Sequence, residues 1–423
     1  GRGIGAQALA AVGATSIVVW LTLGFAMGLT RGFCIHISQA YGKKDYHLVN
    51  RGFFVASVLS LIVGAMISIV GSLAIRDFLI LMHTPREILE QSLDYIKVIL
   101  LGFVITVLNN LFMSVLQSLG DSSTPFWALL VSSVTNIGLD CVFVLTLKWG
   151  VQGAAAATVL SQVFSFAICA AGLKRLKFVS ILDGSKSKNA RLTVRMLKTG
   201  LPVGIMSMVT AVGGMILQFF VNDLGASAVA AYAASTKIRS VIGEFSNALG
   251  MTFMTFVGQN YGAQKYDRIK AGVRMGVLLS ILIHIPLSAV EIFVGKRIAS
   301  LMVTDPPVLE LCRQYLLIVG IFVFFLGFLM VFRNCIQGMD NTWIPMLSGG
   351  LEVFSRLIFG YWLGRHSFMG IAAAEASAWI SVSIMLGSSF FILFRKVLRT
   401  QTPENTTDTK KHKNGFIKQE GTK

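Results

Sequence analysis

The chain has 423 residues, of which 54% are hydrophobic and 13% charged, and its mean hydropathy is +0.70. Soluble domains carry about a quarter charged residues, so a water-soluble globular fold is excluded and the lipid bilayer becomes the first expected partner. The net charge of +17 does not indicate nucleic acid, because lysines and arginines fall in short loops between apolar runs, the pattern that orients membrane proteins.

A helix needs about 20 apolar residues to cross the hydrocarbon core. Five such spans are predicted at 8–35, 49–74, 92–116, 125–147 and 152–173. Six more follow at 198–221, 228–256, 270–294, 308–336, 345–364 and 370–395. The loops between them carry turn chemistry, as in Gly42 to Asp45, Gly120 to Pro125 and Asp305 to Pro307. The five cysteines all lie in apolar segments without paired spacing and read as small buried hydrophobes.

The sequence also repeats at a spacing of 220 residues: Gln39, Tyr41 and Gly42 recur as Gln259, Tyr261 and Gly262. Tyr46 matches Tyr266, Gln117 matches Gln337, Pro125 matches Pro345 and Gly150 matches Gly370. One constant offset over this length indicates duplication of a whole helical bundle. The fold class is therefore an all-α integral membrane protein, with two lobes related by a parallel repeat. The span at 198–221 has no partner in the first half, so the repeat predicts a further helix ahead of Gly1 and twelve spans in all. The expected organisation is an N-terminal lobe over 1–180, a connector over 181–197, a C-terminal lobe over 198–397 and a disordered tail over 398–423. Most basic residues fall on one side, in the loop with Lys43, Lys44 and Arg51, the connector, the loop with Lys265 to Arg274, Arg333 and the tail. That side, with the connector and C-terminus, is expected to be cytoplasmic.

Taken together, the stretches Ala8 to Gly13, Gln39 to Gly42, Gln117 to Asp121, Asn136 to Asp140, Gly150 to Thr158, Gly200 to Pro202, Val257 to Ala263 and Gln337 with Gly338 resemble the multidrug and toxic compound extrusion (MATE) family. The resemblance covers residues 5 to 397 and is similar in flavour to the bacterial branch of the DNA-damage-inducible F-type and clostridial proteins. It implies two six-helix lobes around a central cavity in the bacterial inner membrane. It further implies export of cationic or amphipathic compounds against inward Na⁺ or H⁺ flow, with no other cofactor, by a monomer.

A carboxylate inside a membrane helix is costly and usually faces a polar interior, which singles out Asp140. Asn136 lies one turn earlier on the same face, and Thr158 and Ala154 arrive on the next, antiparallel helix. Carboxylate, amide, hydroxyl and backbone carbonyl oxygens suit a small hard cation, while an isolated Asp could instead hold a proton. The bland alternative is an Asp that only hydrogen-bonds neighbouring helices. The resemblance implies that Asn136, Asp140, Ala154 and Thr158 form the cation site of the first lobe, joined by an Asp from the helix ahead of Gly1. At +220 these positions become Arg356, Gly360, Ala374 and Ala378, so the second half lacks the same oxygen set. Where the family usually has an acidic residue in the helix after Pro202, this chain has Thr210.

The second half holds its own charges. Glu352 and Arg356 stand at i,i+4, a salt-bridge spacing that reads first as a structural pair and second as a gate or substrate contact. Glu244 could attract a cationic substrate or pair with Lys237, seven residues earlier. No GxxxxGK[ST] sequence and no nucleophile–base set is present, so neither ATP-driven transport nor an enzyme is expected. The competing function is flipping of lipid-linked oligosaccharides, which needs a markedly cationic cavity for pyrophosphate. The mid-span charges here are mixed.

Overall fold

The protein is described here by a computed structural model that covers residues 5–180 and 189–401. Residues 181–188 of the expected connector and the tail beyond Gln401 lie outside the described residues. The described chain is helical throughout. The first half runs α1 (Gly5–Gly42), α2 (Tyr46–Leu81), α3 (Arg86–Leu101), α4 (Phe103–Ser118), α5 (Ser123–Asp140) and α6 (Gly150–Arg175). The second half runs α7 (Ala190–Asp223), α8 (Ala226–Gly262), α9 (Tyr266–Ala289), α10 (Gly295–Ala299), α11 (Pro306–Gly338), α12 (Trp343–Phe359) and α13 (Phe368–Gln401). Single π-helical segments extend three of these rods: Cys141–Thr146 after α5, Val290–Val294 after α9, and Gly360–Gly364 after α12.

With α3 and α4 taken as one bent rod, and α9 joined through its π segment to α10, the described rods match the predicted spans one for one. Eight helices are long and apolar enough to cross a membrane, or nine with the bent pair, among the described residues. The other two are α8, interrupted by Lys237, Arg239 and Glu244, and α12, which is 17 residues long before its π segment.

The duplication is visible in the backbone. Moving each first-half rod on by 220 residues lands on a second-half rod: α1 on α8, α2 on α9 to α10, α3 with α4 on α11, α5 on α12, and α6 on α13. Finer features follow the same offset. Lys44 and Gln264 both take positive φ (61° and 59°), as do Gly120 and Asp340 (94° and 70°). The π segments after Asp140 and Phe359 also occupy matching places. Helix α7 is the unpaired rod, and it begins at Ala190, inside the expected connector.

One expectation needs correction. The segment 92–116 was expected to be a single span, but it is two helices meeting at 47°. The bend falls at Gly102, where a Cβ would stand 2.4 Å from both Val159 methyl groups of α6. Helix α6 thus packs against bare backbone at this point. The matching position in α11 is Phe322, and α11 continues unbroken.

Apolar burial is split between the halves. A large cluster built around Leu217, Phe253, Leu316, Trp379 and Phe390 fills the second half. Leu29, Phe33, Phe53, Leu111 and Leu116 centre the largest cluster of the first. Lipid offers little hydrophobic force between helices, so small residues set close approaches. Helices α1 and α7 use them in matching pairs. Added Cβ atoms on Gly28 and Gly32 would strike the α7 backbone at Val203 and Gly200, and those on Gly200 and Gly204 would strike Phe33 and Phe25.

Candidate functional site

Three members of the predicted oxygen set of the first half, Asn136, Ala154 and Thr158, are brought together. Thr158 Oγ1 donates to the Ala154 carbonyl at 3.0 Å, the ordinary back-bond of a helical threonine, and Asn136 Nδ2 donates to Thr158 Oγ1 at 3.5 Å. The neutral groups therefore engage one another. Asp140, one turn further along α5, is half-buried, and its Oδ1 is buried without a hydrogen-bond partner among the described residues. Tyr95 of α3 interacts with it electrostatically. Asp140 is also the last residue before a π segment, a distortion that often marks functional positions. Helix α5 buries only Pro125, Ala128 and Ser132, so the Asp140 face is not locked into a closed core. Polar side chains continue along α6: Ser132 Oγ donates to the Ser161 carbonyl at 3.0 Å, and Asn109 Nδ2 donates to Gln162 Oε1 at 2.7 Å.

The second half replaces this set with a buried ion network. Glu352 pairs with Arg356 at 3.0 Å, as its spacing predicts, and also with Arg333 at 3.0 Å. Arg356 reaches on to Glu375 at 3.6 Å. Glu375 pairs with Arg239 at 2.9 Å and accepts a short hydrogen bond from the Tyr315 hydroxyl. Arg333 was expected to count among the loop cations, but it is 4% exposed within α11 and serves as a partner of Glu352. Glu375 was missed in the sequence because it interrupts an alanine-rich run without a charged neighbour at helical spacing. Glu352 and Arg356 thus stand in a closed network of charge partners. Removing one partner of a buried pair leaves an uncompensated charge and costs about 3–5 kcal/mol. Arg356→Ala is therefore expected to lower the thermal stability of purified protein sharply, read by thermal unfolding in detergent.

Between the halves, the ends of α1 and α8 cross in a two-fold arrangement. Gln39 Nε2 donates to the Gly338 carbonyl at 3.0 Å, and its repeat partner Gln259 donates to the Ser118 carbonyl at 2.9 Å. Ser118 and Gly338 are themselves repeat partners. A Cβ on Gly42 would lie 1.9 Å from the Gln259 carbonyl oxygen, and one on Gly262 would lie 2.0 Å from that of Gln39. Only glycine admits this contact. At the same end Arg195 pairs with Asp340 at 2.6 Å.

Adjoining this crossing, Met27, Thr30, Arg31, Asn110, Met113, Ser114, Gln117 and Met251 line a small cavity between the halves. Arg31 Nη1 donates to Asn247 Oδ1 at 3.4 Å across it. Glu244 precedes Asn247 and Met251 by one and two turns, on the same face of α8. It is exposed and interacts electrostatically with Arg31, and it makes no ion pair with Lys237. A larger cavity lies elsewhere, in the second half between α9, α11 and α13, and is lined by Phe332, Phe390 and Phe394 with Lys270, Arg274 and Arg395.

Two duplicated helical lobes, a polar cluster inside one and a cavity where they meet define a multi-pass membrane transporter. A family model described as MatE matches residues 1–142 and 202–362, and the chain belongs to that family. It is 29% identical over 326 residues to a probable multidrug resistance protein, YoeA, of Bacillus subtilis, covering 75% of this chain and 70% of the relative. It is 25% identical to the FAD transporter of Shewanella oneidensis, covering 82% and 77%. Among solved structures, the outward-facing conformation of a multidrug resistance MATE family transporter matches with a TM-score of 0.87 at 23% identity, covering 94% of this chain and 90% of that one.

Proposed function

We propose that the chain exports organic cations and amphipathic compounds across the bacterial inner membrane, working as a monomer in exchange for an inward-moving proton at Asp140. The carrying observation is the buried, unpartnered Asp140 oxygen beside the engaged Asn136, Thr158 and Ala154 set. A proton needs only that one free oxygen. Na⁺ would need several oxygens turned toward one point, and Asp140 Oδ1 makes no hydrogen bond to the Asn136, Thr158 and Ala154 group. The basic loops around Lys43 and Lys265 support a cytoplasmic placement of the α1–α8 crossing. The glutamine crossing then seals the cytoplasmic end, and the interlobe cavity belongs to the outward-facing half of a transport cycle.

Three methionines (Met27, Met113 and Met251) give that cavity a polarisable lining suited to a greasy cation, and Glu244 stands two turns from Met251 on the same face of α8. The mixed signs of Glu244 and Arg31 do not form the uniformly cationic surface that a pyrophosphate-linked sugar requires. The test is accumulation of a cationic dye in inside-out vesicles with Na⁺ replaced by choline. A pH gradient alone is expected to drive it, and dependence on Na⁺ would defeat the proton assignment. Glu244→Gln is expected to weaken apparent affinity for monovalent cations about tenfold, near 1.4 kcal/mol. Neutral amphipaths should be little affected, and an equal loss for both classes would remove Glu244 from the substrate site.

A further inference from the structure

The second lobe holds a carboxylate that the reading above does not use. Glu291 is 1% exposed, and neither carboxylate oxygen has a hydrogen-bond partner among the described residues. It sits in the π segment Val290–Val294, which has no counterpart in α2, where the matching residue is Gly71. Nearby, Arg239 Nε is a buried donor that is likewise unpartnered, while Nη1 of the same guanidinium pairs with Glu375 at 2.9 Å. Glu291 interacts electrostatically with both Arg239 and Glu375. Arg333 Nε and Arg356 Nε of the same network are unpartnered as well, but Arg239 is the arginine that interacts with Glu291.

A bare ionised carboxylate without water or a donor is not sustained in such a core, whereas the neutral acid is. The arrangement described here is thus the one with Glu291 protonated and Arg239 turned to Glu375. Loss of the proton creates a charge for which the free Arg239 Nε is the available partner. We propose that Glu291 is a proton-binding site of the second lobe, distinct from Asp140, and that Arg239 answers its ionisation by shifting from Glu375 toward Glu291. The inference rests on the export reading for its role in transport, and on the geometry alone for its existence. A metal cation is disfavoured at this place by the guanidinium beside it.

The charged and titratable groups around Glu291 are few. Arg239 of α8 and Glu375 of α13 act on it directly, and around that pair stand Tyr232 of α8, Tyr315 of α11 and Arg356 of α12, which pairs with Glu375 at 3.6 Å. On α9 itself, buried His284 is held by Ser246 at 2.7 Å and by the Ser280 carbonyl at 2.7 Å. Lys296 and Arg297 of α10 are exposed, and Lys296 pairs with Glu310 at 3.2 Å. The shift of Arg239 also has a built-in reporter: its guanidinium lies 5.9 Å from the centroid of the Trp379 ring.

Glu291→Gln imitates the neutral acid. In a background retaining Trp379 as the sole tryptophan, the emission of purified protein is expected to follow a one-proton titration. Glu291→Gln should abolish that titration and hold the low-pH signal, while Glu291→Asp should restore it with a moved midpoint. In vesicles, pH-gradient-driven dye accumulation by Glu291→Gln should fall about tenfold, within the range of coupling between two sites, while dye exchange without a gradient persists. The same Trp379 titration in Glu291→Gln, no titration in the background protein, or undiminished gradient-driven transport would each overturn the proposal. So would a Glu291→Gln protein that fails to fold, because the proposal places a neutral side chain there. If the parent protein moves no dye at all, the export reading fails, and the Trp379 arm still decides whether Glu291 binds a proton.

Discussion

Asp140→Asn is expected to abolish ion-driven export while leaving expression, membrane insertion and dye binding near wild-type levels. The substitution keeps the size and shape of the side chain and removes its capacity to carry a proton. Asp140 makes no hydrogen bond through Oδ1, so no partner is orphaned by the change. An ion can bias a two-state equilibrium only through its different affinity for the two states, and without the carboxylate that difference disappears. Gradient-driven accumulation should fall by about 100-fold, which corresponds to roughly 2.7 kcal/mol of coupling. Dye accumulation in vesicles, normalised to the amount of protein, measures it. Transport at the wild-type rate would remove Asp140 from the mechanism.

Gly262→Leu is expected to be comparably severe for a different reason. The α1–α8 crossing brings Gly262 against the Gln39 backbone so closely that a Cβ would stand 2.0 Å from its carbonyl oxygen. A leucine cannot occupy that gap, and the Gln39–Gly338 and Gln259–Ser118 bonds would be held apart. The variant should remain folded, because each lobe keeps its own core, yet be unable to seal this end. Loss of transport together with raised labelling of a cysteine placed at Ser118 by an impermeant thiol reagent from the cytoplasmic side is the expected pair of results. Full transport with a leucine present would show that the crossing need not close.

What could be read from the sequence divides along a physical line. Apolar length and a fixed offset are properties of the chain alone, so the rods and their repeat were legible before any coordinates. So was the grouping of Asn136, Ala154 and Thr158, because i,i+4 spacing and a short antiparallel turn bring those residues onto neighbouring faces. The pairing of Glu352 with Arg356 is equally local. The Gly102 bend was not legible, since an isolated glycine is compatible with a continuous helix until Val159 arrives from another rod. Nor was the role of Arg333, whose partner Glu352 comes from the next helix. Glu291 and Glu375 are lone acids in apolar runs. The rule that intramembrane carboxylates are functional or paired would have flagged both, but Arg239 and Tyr315, which bond Glu375, come from distant segments, and Glu291 has no partner among the described residues. The two-fold crossing was half visible. Gln39 and Gln259 matched at the offset, but their acceptors Gly338 and Ser118 become evident only when the lobes are set against each other.

The separation of roles between the lobes follows from the same comparison. Asn136, Asp140 and Thr158 are answered by Arg356, Gly360 and Ala378. A cationic side chain thus stands where the first lobe has the Asn136 amide, and Glu352 and Glu375 pair with it. Duplication supplied the frame, and divergence assigned oxygen chemistry to one lobe and ion pairing to the other.

The most direct measurement is proton movement evoked by dye in vesicles containing the reconstituted protein, followed with a trapped pH indicator and with no imposed gradient. The wild-type protein should move protons in the direction opposite to the dye, and Asp140→Asn should exchange dye across the membrane without any change in internal pH. Dye-evoked proton movement of equal size in Asp140→Asn, or dye transport by the wild type without proton movement, would contradict the account.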